Sequence, residues 1–132
     1  MRVLLAVDGS NHSAAAIDEI ARQHFPADSR VRVISVVGPP IALTTYPSAV
    51  VDMDVYVGIE NAARERAHAA VDNAAAALRA RDKSGELNVT TEVLSGSPKR
   101  VILEDAEAFG ADLIVVGSHG HGMLDRFLLG SV

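Results

Sequence analysis

The stretch VLLAVDGS, from Val3 to Ser10, begins with an uninterrupted aliphatic run and ends in a turn sequence. Such a run is typical of a strand that is buried on both faces. Asp8-Gly9 is a common turn signal, so we expect the strand to end at Val7. A strand with two buried faces indicates a sheet that is covered by helices on both sides.

The residues after Ser10 alternate between helical and strand patterns. Ala14, Ile17, Ala21 and Phe25 recur at helical spacing, and Pro26 ends that pattern. The remaining elements are a strand at 31–37, a loop at 38–54, a helix at 55–81, an alternating and half-buried edge strand at 87–93, a helix capped by Ser97 and opened by Pro98 that ends at Gly110, and a strand at 113–116. The second helix carries an alanine-rich stripe suited to close packing: Ile59, Ala63, Ala67, Ala70, Val71, Ala74 and Leu78.

The order βαβαβαβ predicts an α/β fold with an open parallel sheet and helices on both faces, Rossmann-like, in a single domain over residues 1–132. The first and fourth strands have the apolar content of central strands. Open sheets of this kind bind ligands beyond the carboxyl ends of their strands, where the strand order reverses. We therefore expect the site between 8–10 and 117–120.

Composition excludes several classes of protein. The chain has 132 residues, 48% of them hydrophobic, which suits one domain with a substantial core. A formal charge of −5 argues against a nucleic-acid surface, and the lack of cysteine excludes disulfides and thiolate chemistry. No apolar run reaches the roughly 18 residues of a membrane helix. We expect a cytoplasmic protein that binds neither nucleic acid nor membrane.

The end of the chain, VGSHGHGMLDRFLLGSV from Val116 to Val132, is rich in glycine. Glycines let a ligand approach bare peptide N–H groups, which can hold an anion. If Gly130-Ser131 opens a helix, its N–H groups and dipole add to such a site. The pattern favours phosphate binding over the alternative that the glycines only turn the chain, although the standard sequence G-x-x-x-x-G-K-[ST] is missing.

Nine residues separate Gly120 from Gly130, and we expect them to form an excursion whose apolar residues pack inward. Arg126 on this excursion is either a phosphate contact or, more simply, a surface charge. His119 and His121 could ligate a metal with His12, but without a nearby carboxylate cluster we expect no metal site. Ser10 lacks a histidine base, so we expect no catalytic nucleophile.

Gly117-x-x-Gly120, nine residues and Gly130-Ser131 resemble the G-2x-G-9x-G-[S/T] nucleotide motif of the universal stress protein family, and 3–10 resembles the family's first strand. The resemblance covers essentially the whole chain. It implies the strand order 3-2-1-4-5 and ATP, possibly with Mg²⁺, between the ends of strands one and four.

Carried over to matching positions, the resemblance implies a set of cofactor-binding residues. Asp8 would accept hydrogen bonds from ribose hydroxyls, unless it is merely a turn residue. Val36 would meet adenine through its backbone. Ala6 and Val7 would line the nucleoside, Val116 and Gly117 would flank the sugar, and Gly120, Gly130, Ser131 and Val132 would hold the phosphates.

Family members continue with a fourth helix and a fifth strand that usually builds the dimer, and these are absent from the sequence up to Val132. We expect a further tail, a homodimer and an unidentified regulatory protein partner. The leading hypothesis is an ATP-binding stress-response protein that is not an enzyme, with at most slow hydrolysis. Alternatives are an adenylate-forming ATP pyrophosphatase and a dimerisation or adaptor module without nucleotide. A preference among ATP, AMP and cyclic AMP stays open.

Overall fold

The computed structural model describes residues 1–9, 11–23, 25–38, 53–83, 85–117 and 124–128, with residues 11, 12 and 124–128 by their backbone alone. Eight elements follow one another along the chain. They are β1 (Arg2–Val7), α1 (Asn11–Arg22), β2 (Arg30–Val37), α2 (Met53–Arg81), β3 (Asn88–Ser95), α3 (Pro98–Phe109), β4 (Leu113–Gly117) and β5 (Leu124–Leu128).

The sheet has the order β3-β2-β1-β4-β5. β1 pairs in parallel with β2 and with β4, so the first and fourth strands are central, as predicted. β3 pairs in parallel with β2 and forms an edge, also as predicted. The α/β fold with a parallel sheet is therefore confirmed, and the order β3-β2-β1-β4 agrees with that of the first four strands in the order that the resemblance implied. The family's fifth strand was expected after Val132, so β5 is a different strand.

β5 differs from expectation. The sequence predicted an excursion between Gly120 and Gly130 and no strand within it, and the backbone of Leu124–Leu128 forms a strand antiparallel to β4. Its register pairs Gly117 with Leu124 and Leu113 with Leu128. A chain that reverses shortly after β4 can return only along the side that β1 leaves open, and this makes an antiparallel pair.

Helices cover both faces of the sheet. One buried cluster joins α1 and α2 to the sheet through Ala16, Val71 and Leu78 on the helices and Leu5 and Val33 on the strands. A second cluster joins α3 to the opposite face through Ala106, Leu4, Ile34 and Ile114. The side chains of β1 alternate between these clusters, which explains why its sequence is apolar without interruption.

The buried side of α1 is rotated from the predicted one. Ser13, Ala16 and Ile20 are buried, whereas Ala14 is exposed and Ile17 is half-buried. Alanines occupy 14, 15 and 16 in a row, so the sequence periodicity alone could not choose among them.

α2 begins at Met53, inside the segment predicted as a loop, and it is longer than the strands on which it packs. At 29 residues it extends about 43 Å, whereas a strand of eight residues spans about 26 Å. The stripe from Ala67 to Leu78 is buried as predicted. Ile59 is 46% exposed, because this part of the helix extends beyond the sheet. We call residues 53–60 the overhang.

α3 begins and ends largely as its sequence predicts. Pro98 occupies its first turn, but Ser97 precedes it in an extended conformation and makes no side-chain cap. The first turn is closed by the backbone instead, since the Val101 N–H donates to the Ser97 carbonyl at 2.9 Å. Gly110 ends the helix at a φ of 72°, a left-handed conformation that glycine adopts without steric cost.

Candidate functional site

The path of the chain creates a crevice at the carboxyl ends of β1 and β4. After β1 the chain passes into α1 on one face of the sheet, whereas β4 receives the chain from α3 on the other face. The two strands are neighbours. This is the point where the strand order reverses, and in open α/β sheets it is the usual place for a ligand.

The register brings the predicted residues of β1 and β4 side by side. Ala6 pairs with Val116, and Val7 pairs with Gly117. Ala6 and Val116 face the α3 side of the sheet, while Val7 faces the α1 side. The last pair at this edge therefore joins a buried valine to a glycine, directly below Asp8.

Val36 lies at the same level on the neighbouring strand. In β2, Ile34 pairs with Ala6 of β1. Val36 lies two positions further toward the carboxyl edge and is therefore level with Asp8. Its side chain is half-buried against the α3 cluster. The six predicted residues that the structure describes thus lie along one edge: Ala6, Val7, Asp8, Val36, Val116 and Gly117.

Asp8 is exposed, and its contacts run to the first turn of α1. Its backbone N–H donates to the Ser13 hydroxyl oxygen at 2.8 Å. The same hydroxyl lies 2.8 Å from Asp8 Oδ1 and 2.9 Å from the Gly117 carbonyl oxygen, either of which can accept its proton. Ser13 therefore links the end of β1 to the end of β4.

Sequence reasoning missed Ser13. The only serine that it weighed near this turn was Ser10, as a nucleophile, and Ser10 lies outside the described residues. The signal appears once α1 is packed, because Ser13 shares the buried face of the helix with Ala16 and Ile20 at spacings of three and four. A serine that is only 3% exposed on such a face needs polar partners, and it finds them at the strand ends.

The turn after β1 is closed from above by α2. Gly9 has a φ of 82°, a left-handed conformation, and a Cβ at this position would lie 3.6 Å from the Ala70 Cβ. Small residues on both sides allow the helix to pass close to the turn. Because α2 rises about 1.5 Å per residue, the overhang extends well beyond the carboxyl edge.

The other half of the predicted site lies outside the described residues. This holds for Gly120, Gly130, Ser131 and Val132, and for His119 and His121. Arg126 is described by its backbone only, opposite Val115. No cluster of three histidine, aspartate or glutamate side chains suited to a metal occurs in the ranges that the structure describes.

The crevice is suited to hydrogen bonding. Asp8 offers a carboxylate, which accepts hydrogen bonds from hydroxyls, and its position is tied to both central strands. The buried Ser13 hydroxyl contacts a carboxylate and a carbonyl, whereas an activated serine nucleophile needs a base such as histidine.

A wide groove occupies the opposite, amino edge of the sheet. It encloses about 490 Å³ between the ends of α1 and α2, above Phe25, Leu78 and Leu87. Its rim carries charges of both signs, and Arg81 on that rim is paired with Asp18. We place the candidate site at the other edge for two reasons. The strand order reverses there, and the mixed charges of this groove do not favour a ligand of either sign.

Comparison with known proteins identifies the family of this chain. The family model described as "Universal stress protein family" matches residues 1–132. The chain belongs to the universal stress protein family.

Individual relatives agree. The chain is 32% identical to universal stress protein A homolog 1 of Coxiella burnetii over 98% of this chain and 83% of that one. A universal stress protein family structure from Burkholderia pseudomallei superposes with a TM-score of 0.67, at 23% identity, over 89% of this chain and 81% of that one. A universal stress protein solved in complex with cAMP has a TM-score of 0.53, at 19% identity, over 86% and 73%. At these identities the two structures support the fold alone.

No helix within the described ranges combines the length and the apolar composition that crossing a membrane requires.

Proposed function

We propose that this protein binds an adenine nucleotide, ATP in the first place, in the crevice between β1 and β4, and that it acts as a regulatory stress-response protein. The observation that carries the proposal is the Asp8 carboxylate, held beside Gly117 at the point where the strand order reverses. From Gly117 the sequence continues into the glycine pattern Gly117-x-x-Gly120, nine residues and Gly130-Ser131. A carboxylate for ribose and peptide N–H groups for phosphate would follow each other along this edge.

The acidic character of the chain is compatible with this ligand. A formal charge of −5 repels a triphosphate at long range. Peptide N–H groups are partial charges that act at short range, so they can hold phosphates without an excess of lysine and arginine. Affinity would then depend on the shape of the glycine segment, and we propose that bulky residues there prevent binding.

We propose binding with at most slow hydrolysis. Phosphoryl transfer needs a positioned base or water-orienting residue and a metal clamp near the γ-phosphate. The described residues of the crevice supply a carboxylate whose contacts run to Ser13, at the proposed ribose end. The test is an assay of ADP and of pyrophosphate release with the purified protein, and pyrophosphate at multiple turnovers would instead support an adenylate-forming enzyme.

The nucleotide itself is tested by mass spectrometry of the purified and then denatured protein. We expect an adenine nucleotide to be released, and we expect calorimetry on the emptied protein to show ATP binding. Cyclic AMP is the informative competitor, because a universal stress protein has been solved in complex with cAMP. Tighter binding of cyclic AMP than of ATP would overturn the assignment of ATP while leaving the site in place.

The phosphate half of the site is tested by the double substitution Gly120→Val with Gly130→Val. We expect nucleotide binding to be abolished and the melting temperature to stay close to that of the wild type. Unchanged ATP affinity would contradict the proposed phosphate site, and complete absence of nucleotide from the wild type would favour a dimerisation or adaptor module. The proposed homodimer is tested in the same samples by light scattering during gel filtration.

A further inference from the structure

We propose that Ser13 is the positioning residue of the site: its hydroxyl sets the orientation of the Asp8 carboxylate and thereby the preference for a ribose that carries its hydroxyls. This inference rests on the proposed function and deepens it. Ser13 is 3% exposed, so a ligand in the crevice would meet Asp8 and not the serine itself. Its effect on the ligand would pass through the carboxylate.

The geometry of the hydroxyl supports this role. A serine hydroxyl has one proton to donate and two lone pairs that accept. The Asp8 N–H occupies a lone pair at 2.8 Å. The proton can be donated to either of two acceptors, Asp8 Oδ1 at 2.8 Å or the Gly117 carbonyl at 2.9 Å. One buried atom thus holds the backbone of Asp8, its side chain and the end of β4.

Fixing the carboxylate matters because Asp8 is exposed. An aspartate at a surface turn can rotate about two side-chain torsions, and a ligand that needs one orientation must pay for the loss of that freedom. The Ser13 contact fixes one carboxylate oxygen. A carboxylate can accept about four hydrogen bonds through its two oxygens.

The competing explanation is that Ser13 only stabilises the turn, as buried serines often do. Ser29 offers a matched control at the other edge of the sheet. It is 1% exposed, and its hydroxyl donates to the Pro26 carbonyl at 2.6 Å. Ser13→Ala and Ser29→Ala therefore each remove a buried hydroxyl and its bonds, but only the first removes a contact with Asp8.

The experiment compares ATP with 2′,3′-dideoxy-ATP, which lacks both ribose hydroxyls, by calorimetry on the wild type, Ser13→Ala, Ser13→Thr and Ser29→Ala. We expect Ser13→Ala to bind ATP about tenfold more weakly, because the ligand must then order the Asp8 carboxylate itself, which weakens its hydrogen bonds with the ribose. We expect it to bind the dideoxy nucleotide about as the wild type does, because that ligand makes no ribose hydrogen bond with Asp8. Ser13→Thr, which keeps the hydroxyl, should recover the preference, and Ser29→Ala should retain it.

Two results would overturn the inference alone. One is an equal loss of affinity for both nucleotides in Ser13→Ala, which would show a structural role. The other is an unchanged preference for ATP in that variant. A wild type that binds neither nucleotide would instead overturn the proposed function and this inference with it, and it would be seen before any variant is measured.

Discussion

The two edges of the sheet differ in what their polar groups contact. At the amino edge the bonds join parts of the chain that are far apart in sequence. The Arg2 N–H donates to Asp112 Oδ2 at 2.8 Å, and the Asp112 N–H donates to the Arg2 carbonyl at 2.7 Å. The Arg2 guanidinium also reaches the Phe109 carbonyl at 3.2 Å. These contacts join the start of β1 to the end of α3 and to the residue before β4.

At the carboxyl edge the same two strands are joined through a side chain. Ser13 bridges Asp8 and the Gly117 carbonyl, and Asp8 is exposed beside it. At the amino edge Arg2 contacts the end of α3 and the residue before β4 through backbone and side-chain atoms alike, whereas at the carboxyl edge the bridging serine lies next to an exposed carboxylate. If the proposed function is correct, substitutions at the amino edge should lower folding stability and substitutions at the carboxyl edge should weaken ligand binding.

The largest expected effects come from two aspartates, one at each edge, and they test whether the edges differ in function. Asp8→Ala should weaken ATP binding by about 100-fold, because two hydrogen bonds to a charged group together contribute about 3 kcal/mol. Asp112→Ala should leave ATP affinity within about twofold and lower the free energy of unfolding by about 1 kcal/mol, through loss of the bond from the Arg2 N–H. Calorimetry and urea unfolding of both variants measure the two effects.

Asp8→Ala with normal ATP affinity would show that this aspartate is only a turn residue. A large effect of Asp112→Ala on ATP binding would show that the edges are coupled, and the division between stability and binding would then be wrong.

The second prediction concerns an ion pair between the sheet and α3. Arg32 contacts Asp105 twice, through Nε to Oδ2 at 2.7 Å and through a terminal nitrogen to Oδ1 at 3.0 Å, with side chains 22% and 15% exposed. Asp105→Ala should lower the free energy of unfolding by about 2 kcal/mol, because it leaves a half-buried cation without its partner. Its neighbour Glu104, in an exposed pair with Arg100, is the matched control, and Glu104→Ala should cost less than about 0.5 kcal/mol.

The same pair predicts how stability depends on pH. The hydrogen bond that Arg32 donates to Asp105 raises the pKa of Arg32 above its ordinary value, and burial opposes this. A cation whose pKa is raised on folding contributes stability at every pH below its unfolded pKa and loses it only above. The cost of Arg32→Met should therefore be constant between pH 6 and 9 in urea unfolding. If the loss of stability in Arg32→Met changed by more than about 1 kcal/mol across this range, the ion pair between Arg32 and Asp105 would not be its source.

The third prediction concerns the glycine that ends α3 near the amino edge. Gly110 has a left-handed φ of 72°, and a Cβ there would lie 2.9 Å from a guanidinium nitrogen of Arg2. Gly110→Ala should lower stability by about 1.5 kcal/mol, from the left-handed conformation and from displacement of Arg2. Gly85 has a similar φ of 70° with open space around it, so Gly85→Ala should cost about 1 kcal/mol. Thermal unfolding that ranks the two variants the other way would show that Arg2 is unimportant.

Most of the fold could be predicted, because strands and helices of this chain differ in their apolar periodicity. The run Val3–Val7, the turn at Asp8-Gly9 and the proline that opens α3 are local signals. The central position of β1 and β4 follows from their two buried faces. Asp8 and Gly117 could be placed at one edge because parallel strands end together.

What could not be predicted depends on distances between elements. Ser13 reads as one small residue among alanines until α1 is packed, and only the register of β1 with β4 brings it to both Asp8 and Gly117. Ile59 continues the apolar stripe of α2 in sequence, but periodicity carries no information on where the sheet ends. The antiparallel β5 was missed because its segment, between glycines, has no clear strand alternation.

The smallest predicted effect tests whether the overhang, residues 53–60, takes part in the cooperative fold. Met53 is 68% exposed there, and a Cβ at Gly58 would meet nothing within 4 Å. In a helix that unfolds with the core, glycine to alanine would add about 1 kcal/mol. The overhang ends about one turn before Arg64, which donates a hydrogen bond to Ser95 at the end of β3, so the two turns of the overhang can fray alone. Gly58→Ala should therefore raise global stability by less than about 0.5 kcal/mol. The reverse change Ala76→Gly, at an exposed position within the packed half of the helix, should lower it by about 1 kcal/mol.

Hydrogen exchange gives the independent measurement. We expect fast exchange at 53–60, which slows in Gly58→Ala, and slow exchange at 67–78. Equal and opposite effects of the two substitutions on urea unfolding would mean that the overhang is held by contacts as firm as those of the sheet-packed half.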